Sequence, residues 1–249
     1  MQMHGKPNSK YSKKINKHVL ILGASSDIGI DVIKLFIKSD WKVSAHYSSN
    51  NYNLKKIRSK KLKIIQFNFL NRSQNTEKKL LKTFNENYDS IINLIGFVDN
   101  KSFQNFDLQS CLNALSINSL IPLIIIRNSS TYMLKNRWGR ILNSSSIGTK
   151  FGGGIKSFNY SLSKHLLEFI PGIYKKWSKK NVLINTLRIG VTNTKIHNKN
   201  GKKNLKDRIK KIPIGRMAKT QEIADFIFYL SSEKNTFITG EIISISGGE

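Results

Sequence analysis

Short apolar runs alternate with longer stretches of helical periodicity along most of the chain. The runs are rich in Val, Ile and Leu, and each is short enough for a buried strand. They predict seven strands, at residues 18–22, 42–47, 63–67, 90–95, 139–144, 182–187 and 241–245. The periodic stretches predict helices at 108–134, 157–179 and 221–230, whereas the polar segment 50–60 predicts a short helix or a loop.

Strands that alternate with helices indicate a parallel sheet with helices on both faces and right-handed connections. No linker, low-complexity block or internal repeat interrupts the pattern. We therefore expect a single α/β domain over residues 18–249, with a doubly wound parallel sheet of about seven strands. The polar, basic residues 1–17 are expected to form a flexible tail.

A turn with the sequence Gly23-Ala24-Ser25-Ser26-Asp27-Ile28-Gly29 joins the first strand directly to a helix. Such a turn presents free backbone N–H groups and the positive end of the helix dipole to a phosphate. Gly23 permits the sharp turn, and Gly29 lets the helix lie close to the sheet or to a ligand. Glycines are common in turns for steric reasons alone, but the strand-turn-helix context favours a nucleotide-binding site.

Tyr160 and Lys164 lie four residues apart in a stretch of helical periodicity, so their side chains share one helix face. An ammonium one turn away stabilises a phenolate and lowers the pKa of the phenol. Tyr160 can then exchange a proton with a bound alcohol or carbonyl. Taken alone, the pair is more simply read as two side chains on a solvated face.

These motifs, in this order, resemble the short-chain dehydrogenase/reductase family, and the likeness extends over residues 19–248. The segment 212–217, followed by 221–224, 238–241 and 247–248, resembles bacterial β-ketoacyl carrier-protein reductases and related sugar or polyol dehydrogenases. The resemblance implies a Rossmann-type fold and NAD(P)-dependent chemistry. Asp27 stands where the family has the middle glycine of its turn, and we expect its side chain to cap free N–H groups.

The resemblance also implies a catalytic role for four residues. Tyr160 would be the general acid in reduction, and Lys164 would lower its pKa and bind the nicotinamide ribose. Ser146, with Ser145 as the alternative, would hydrogen-bond the substrate carbonyl and stabilise oxyanion charge. Asn118 matches the family's helix asparagine, which holds a water in the proton relay to the lysine.

Cofactor contacts are implied in the same way. Asn93 and Gly96 match the family's residues on the adenosine side, Asn68 occupies the position that often faces adenine, and the loop from Gly190 to Thr194 resembles the one that touches nicotinamide. The complete set of predicted cofactor-binding residues is Gly23, Ser25, Ser26, Asp27, Ile28, Gly29, Tyr47, Ser48, Asn68, Asn93, Gly96, Tyr160, Lys164, Gly190, Thr192 and Thr194.

The end of the second predicted strand decides between NAD(H) and NADP(H). An acidic residue there would bind the ribose hydroxyls of NAD and repel the extra phosphate of NADP. Residues 45–50 contain no acid, and Lys55, Lys56 and Arg58 follow. We therefore favour NADP(H) over NAD(H), although the same lysines are also typical of a solvated surface.

The formal net charge of +27, from 42 Lys and Arg against 15 Asp and Glu, suggests nucleic-acid binding. The lysines are scattered over nearly every polar segment, and the abundance of Asn and Ile indicates an AT-biased genome, so we expect no nucleic-acid partner. The alternative is an anionic substrate or an acidic protein partner. A predicted lid, 195–211, carries one acid, Asp207, against Lys195, Lys199, Lys202, Lys203, Lys206, Arg208, Lys210 and Lys211.

Other features limit the class of protein. The single cysteine, Cys111, excludes an internal disulfide framework and a cysteine-built metal site, and we predict no metal. No apolar run approaches the length of a membrane span and the N-terminus is not a secretory signal, so we expect a cytoplasmic protein without a membrane partner. Family resemblance alone implies a homo-oligomer, either a dimer or a tetramer.

The sequence thus predicts an NAD(P)H-dependent oxidoreductase that reduces a ketone to a secondary alcohol through a Ser-Tyr-Lys-Asn active site. Its substrate would be a small-molecule or carrier-linked carbonyl compound, in the first place a 3-oxoacyl thioester. One alternative is a reductase or dehydrogenase of a free or nucleotide-linked sugar. The other is a non-catalytic binding protein that uses the same fold and a basic surface.

Overall fold

A computed structural model describes residues 17–70, 75–195 and 202–249, without the side chains of 202–205. Its strands are β1 (His18–Leu22), β2 (Lys42–Tyr47), β3 (Leu62–Gln66), β4 (Ser90–Asn93), β5 (Gly139–Ser146), β6 (Val182–Ile189) and β7 (Ile242–Ile245). They form one seven-stranded sheet in the order β3-β2-β1-β4-β5-β6-β7, and every pairing between neighbours is parallel. The predicted Rossmann-type α/β fold is confirmed.

Each face of the sheet is covered by its own hydrophobic core. Along β1, Val19 and Ile21 pack into one core while Leu20 and Leu22 pack into the other, and all four side chains are buried. Successive side chains of a strand point to opposite faces, so a strand buried on both sides must be apolar throughout. This explains why β1 lacks the polar alternation of a half-exposed strand.

Helices lie between the strands. They are α1 (Asp27–Lys38), α2 (Tyr52–Lys55), α3 (Thr76–Thr83), α4 (Leu108–Leu115), α5 (Ile121–Asn136), α6 (Phe158–Leu166), α7 (Tyr174–Ser178), α8 (Lys202–Lys210) and α9 (Thr220–Ser231). A π-helical turn, Ser116–Leu120, joins α4 to α5, and a 3-10 helix, Ile147–Phe151, follows β5.

The predicted helix 157–179 is wrong in one respect, because the chain forms two helices there. The first, α6, ends at Leu166, and α7 begins only at Tyr174. Pro171 and Gly172 lie in the break. Proline has no N–H to donate and collides with the preceding turn of a helix, while glycine gains little from helical order.

The helical stretch Leu108–Asn136 also corrects a prediction. It is long and apolar enough to span a membrane by length and composition, contrary to the expectation that no run approaches that length. A core helix passes the same test, and Ile125, Ile126 and Met133 pack in the core beside β4 and β5. The predicted flexible tail lies outside the described residues apart from Lys17.

Shortening a side chain between α1 and α9 tests the core that holds the first helix in place. Phe36 is fully buried, and its ring lies 4.9 Å from the rings of both Trp41 and Phe228. We expect Phe36→Ala to lower the free energy of unfolding by about 3–5 kcal/mol, since it leaves a cavity. The exposed Lys38→Ala on the same helix should change it by less than about 0.5 kcal/mol. Urea denaturation of both variants measures the difference, and equal effects would contradict this packing.

Candidate active site

The predicted site residues gather where the strands end. The glycine turn follows β1, residues 94–96 follow β4, Ser146 ends β5, and Gly190 follows β6. All strands are parallel, so these ends share one edge of the sheet. The carboxyl edge, beside the point where strand order reverses between β1 and β4, is the general ligand-binding position of this architecture.

The glycine turn is packed too closely for side chains at its two glycines. Gly23 has a φ of +73°, and a Cβ on it would lie 2.8 Å from the carbonyl oxygen of Leu94. A Cβ on Gly29 would lie 2.6 Å from the carbonyl oxygen of Ala24. Both glycines are therefore required by the fold, and the open backbone of the turn fits the pyrophosphate of a dinucleotide at the start of α1.

The prediction that Asp27 caps the helix is wrong. Ser26 is the N-cap residue, and its Oγ accepts the N–H of Gly29 at 3.0 Å. Asp27 lies one position inside α1, and its Oδ2 accepts the backbone N–H of Lys195 at 2.9 Å. The carboxylate thus joins the glycine turn to the loop after β6.

A histidine that the sequence did not single out fixes the glycine turn from below. The Nδ1 atom of His46 accepts the N–H of Gly23 at 3.2 Å, and its Nε2 lies 2.9 Å from the carbonyl oxygen of Phe67. Its ring stacks on Phe69 at 4.6 Å. Burial lowers the pKa of His46 to about 4, so the ring is neutral and its Nδ1 stays an acceptor.

Strand alternation separates the three serines at the end of β5. The side chain of Ser146 accepts the N–H of Gly148 at 3.2 Å, and its proximity to Tyr160 acts to lower the pKa of the phenol. Ser144 points to the same side, whereas the hydroxyl of Ser145 donates to Glu168 at 2.7 Å on the other face. The geometry therefore favours Ser146 over Ser145 as the hydroxyl at the reacting position.

Lys164 is buried, with only 2% of its surface exposed. Its ammonium donates to the carbonyl oxygen of Ile95, and to Ser144 through the carbonyl oxygen at 2.7 Å and the hydroxyl at 3.2 Å. Burial lowers the pKa of Lys164 to about 7. Its donors thus tie the loop after β4 to the end of β5, directly below Tyr160.

The expectation that Lys164 lowers the pKa of Tyr160 is not met by these contacts. Burial raises the pKa of the phenol, and the proximity of Ser146 works in the opposite direction. The Lys164 ammonium lies 5.9 Å from the centre of the Tyr160 ring, with its hydrogen bonds directed at carbonyl groups. Ser146, instead of the lysine, is the group that favours ionisation of the phenol here.

Asn118 lies in the π-helical turn and is fully buried. Its side-chain amide accepts the N–H of Phe97 at 2.7 Å and donates to the carbonyl oxygen of Phe97 at 2.9 Å and to Ser163 at 2.8 Å. The amide thus binds protein on both sides. Asn118 therefore fixes the loop after β4 against the residue that precedes Lys164.

One predicted adenosine contact is wrong. Asn93 is fully buried, and its amide bonds Asn143 at 3.3 Å and the N–H of Ile95 at 3.2 Å, so its side chain holds the protein instead of a ligand. Gly96 is exposed, and a Cβ on it would lie 3.9 Å from Cε2 of Tyr160. Gly96 therefore lies beside Tyr160, and its contact with the cofactor stays a prediction.

The remaining predicted residues fall into two groups. Thr192 turns its hydroxyl inward to the carbonyl oxygen of Gly190 at 3.0 Å, and Asn68 accepts the N–H of Leu70 at 2.9 Å, so both side chains hold their own loops. The residues that keep some exposed surface along the edge are Ser25, Ser26, Ile28, Ser48 and Thr194. Tyr47 is buried and accepts a hydrogen bond from Asn51 at 2.9 Å.

An ion pair with a buried carboxylate lies behind Ser146, the predicted catalytic serine, on the opposite face of β5. Arg188 forms two bonds to the carboxylate of Glu168, at 2.8 and 2.6 Å, and Ser145 and Thr149 each donate to it at 2.7 Å. Burial raises the pKa of Glu168, but the bonds from Arg188, Thr149 and Ser145 outweigh burial and hold it at about 2. No sequence motif identifies this pair, since its members lie twenty residues apart.

Comparisons with known proteins found a matching family model and similar relatives. A family model described as enoyl-(acyl carrier protein) reductase matches residues 23–249. The 3-oxoacyl-[acyl-carrier-protein] reductase of Aquifex aeolicus (strain VF5) is 31% identical over 180 residues, which cover 70% of this chain and 72% of that protein. The 2-dehydro-3-deoxy-D-gluconate 5-dehydrogenase of Bacillus subtilis (strain 168) is 26% identical over 168 residues, or 66% of this chain and 65% of that protein.

Solved structures share the fold. A 3-oxoacyl (acyl-carrier-protein) reductase from Agrobacterium tumefaciens C58, with NADP bound, matches with a TM-score of 0.82 at 17% identity, and the match covers 94% of each chain. At this level of identity the likeness shows the architecture.

The buried lysine makes stability depend on pH. The folded chain releases the Lys164 proton near pH 7, whereas the unfolded chain keeps it until about pH 10.5. The unfolded chain therefore binds more protons in this window, and the folded state gains stability as pH rises. Relative to Lys164→Met, the wild type should gain up to about 1.4 kcal/mol per pH unit above pH 7. Urea denaturation of both proteins at pH 6.5, 8 and 9 measures this, and parallel pH profiles would contradict it.

Proposed function

The chain belongs to the short-chain dehydrogenase/reductase family of oxidoreductases, and on that premise we propose that it reduces a ketone to a secondary alcohol with NADPH. The observation that carries this proposal is the meeting of Ser146, Tyr160 and Lys164 beside the glycine turn. A pure binding protein has no need of a buried lysine below a tyrosine that lies close to a serine.

In the proposed reaction, the nicotinamide supplies the hydride. The residues of the chain supply the rest: Tyr160 gives a proton to the carbonyl oxygen, and Ser146 donates a hydrogen bond to the same oxygen. Ser146 lies close to the phenol, so one substrate oxygen placed between the two hydroxyls would contact both. This arrangement stabilises the negative charge that develops on the oxygen as hydride adds to the carbon.

Lys164 and Asn118 act on the other side of Tyr160. As the resemblance implies, we assign to Lys164 the binding of the nicotinamide ribose, in which a ribose hydroxyl takes the place of one of the oxygens that the ammonium contacts. A pKa near 7 lets the lysine exchange protons at neutral pH, which suits a relay that reloads the phenol. Asn118 positions this lysine through Phe97 and Ser163, so we treat it as a positioning residue.

The choice of NADPH rests on charge at the end of β2. Ser48 and Ser49 are exposed there, and no carboxylate occurs in the sequence from Trp41 to Asn75. The serine hydroxyls and nearby exposed cations, such as Lys55, suit the phosphate on the ribose of NADP. The end of β2 has no acidic residue to bind the two free ribose hydroxyls of NAD. The structural neighbour with NADP bound supports the same choice.

The substrate class follows from the relatives and from the described part of the lid. Relatives include a 3-oxoacyl-[acyl-carrier-protein] reductase, which favours a 3-oxoacyl thioester. Lys206, Lys210 and Lys211 are exposed on and after α8, so an anionic carrier would meet positive charge there. Lys199 and the side chains of Lys202 and Lys203 lie outside the described residues. A sugar derivative is the second candidate, because another relative is a 2-dehydro-3-deoxy-D-gluconate 5-dehydrogenase.

A homodimer is the simplest way to cover the apolar side chains that α4 and α6 leave exposed. Leu108 is 75% exposed, and Leu112 and Leu162 are each more than 40% exposed. The helices α4 and α6 contact each other, so these exposed side chains lie on neighbouring helices. We therefore propose that two copies pack through these helices, as the resemblance implies.

Removal of the phenol tests the catalytic assignment. We expect Tyr160→Phe to lower kcat for NADPH-dependent reduction of acetoacetyl-N-acetylcysteamine about 10²- to 10⁴-fold, because no group then delivers the proton. NADPH binding, followed by nicotinamide fluorescence, should change little. Tyr229→Phe removes an exposed phenol on α9 and serves as the matched control. An unchanged kcat in Tyr160→Phe would refute the mechanism. A wild-type protein that reduces keto sugars but no thioester would favour the second substrate class.

A charge placed at the end of β2 tests the cofactor assignment. Ser48→Asp should weaken NADPH binding about tenfold or more relative to NADH, because a carboxylate repels the ribose phosphate. Ser48→Asn has nearly the same shape without the charge and should keep the preference for NADPH. Equal effects of Ser48→Asp on the two nucleotides would place the phosphate elsewhere.

A further inference from the structure

An ion pair between α8 and the residues after β7 borders the reacting end of the site. Arg208 contacts Glu249, whose backbone oxygen receives the Ser246 hydroxyl at 3.1 Å and the Lys150 ammonium at 3.4 Å. Lys150 lies in the 3-10 helix that Ser146 caps. Ser246 packs so tightly on Gly190 that its Cα would lie 2.6 Å from a Cβ there. The pair therefore adjoins both the catalytic serine's helix and the loop after β6.

This ion pair uses only half of its hydrogen-bonding capacity. Glu249 Oε1 contacts Arg208 Nη2, while Glu249 Oε2 and Arg208 Nη1 are buried and have no hydrogen-bond partner among the described residues. The Glu249 side chain is only 8% exposed. A buried polar atom without a partner is costly, and native proteins rarely tolerate it unless a ligand or water completes it.

Two other arginine-carboxylate pairs show what a complete fork looks like in this protein. Arg216 binds both oxygens of Glu222, at 2.8 and 2.7 Å, and Arg188 binds both oxygens of Glu168. In the Arg208–Glu249 pair, by contrast, the donor Arg208 Nη1 and the acceptor Glu249 Oε2 have no partner among the described residues. An incomplete fork of this kind can receive one group that accepts from the arginine and donates to the carboxylate.

We propose that Arg208 and Glu249 recognise a neutral polar group of the substrate, an amide or a hydroxyl, at some distance from the reacting carbonyl. Arg208 Nη1 donates to the oxygen of that group, and Glu249 Oε2 accepts its N–H or O–H. A carboxylate or phosphate does not match this site, because it offers no donor to Oε2 and its charge faces that of Glu249. The proposal rests on the reductase function proposed above and makes these residues specificity-determining.

Three acetoacetyl thioesters test whether the pair recognises an amide, a hydroxyl or neither, because they share the reacting ketone and differ only in the thiol. N-acetylcysteamine provides an amide, 2-mercaptoethanol a hydroxyl and butanethiol neither. We expect the wild type to show kcat/KM about tenfold or more higher for the amide or the hydroxyl thioester than for the butyl thioester, mainly through KM. The amide and hydroxyl arms identify which of the two groups is bound.

Two substitutions assign the preference to the pair. Glu249→Gln keeps the shape but replaces the accepting Oε2 with a donor, and Arg208→Met removes the donors. Each should reduce the preference to within about threefold while leaving the butyl thioester unchanged. Lys34→Met, which removes the exposed cation of the Lys34–Asp31 pair on α1, is the matched control and should keep the preference.

The outcomes are distinct. A wild type that reduces all three thioesters equally, while Tyr160→Phe is inactive, would overturn this inference and leave the reductase function standing. A protein that binds NADPH but reduces neither these thioesters nor a keto sugar would overturn both. A preference that persists in Glu249→Gln and Arg208→Met, with melting temperatures near that of the wild type, would place recognition at other residues.

Discussion

The site depends on one buried cation. Lys164 lies between the loop after β4 and the end of β5, where the carbonyl oxygens of Ile95 and Ser144 accept its hydrogen bonds. A lysine without a carboxylate partner at this depth is costly to charge, which is why its pKa falls to about 7. The hydrogen bonds to these carbonyl oxygens offset part of the cost of burying the charge. The same contacts hold α6 in place and thereby position Tyr160, which lies one turn earlier on that helix.

The supporting interactions form two layers around β5. On one face, Ser144 and Ser146 contact Lys164 and Tyr160; on the other, Ser145 contacts the carboxylate of Glu168. The strand end is therefore fixed from both sides, and its serines cannot exchange roles without breaking a buried bond. The neutral His46 does the same for the glycine turn. Such rigid support is what a reaction that needs two hydroxyls on one oxygen requires.

Periodicity was sufficient to predict the fold and insufficient for much of the site. Apolar runs such as 18–22 identify strands because burial on both faces demands them, and the Tyr160/Lys164 spacing identifies a shared helix face. The break near Pro171 was missed because the apolar pattern continues across it. Three contacts of the site join distant segments of the chain. They are the contact of Asp27 with the loop after β6, the approach of Ser146 to Tyr160, and the Glu168–Arg188 pair. Their partners depend on tertiary packing, about which local spacing carries no information.

The large positive charge and the chemistry of the site belong to different parts of the molecule. At the reacting edge, His46 is neutral and Lys164 is close to half-protonated at pH 7. The arginines nearest the predicted nicotinamide loop are all paired with carboxylates. Unpaired lysines are instead found on exposed helices, where water screens them and they act over longer distances. Under the proposed function, charge draws an anionic carrier toward this edge, while discrimination between substrates falls to hydrogen bonds of fixed direction within it.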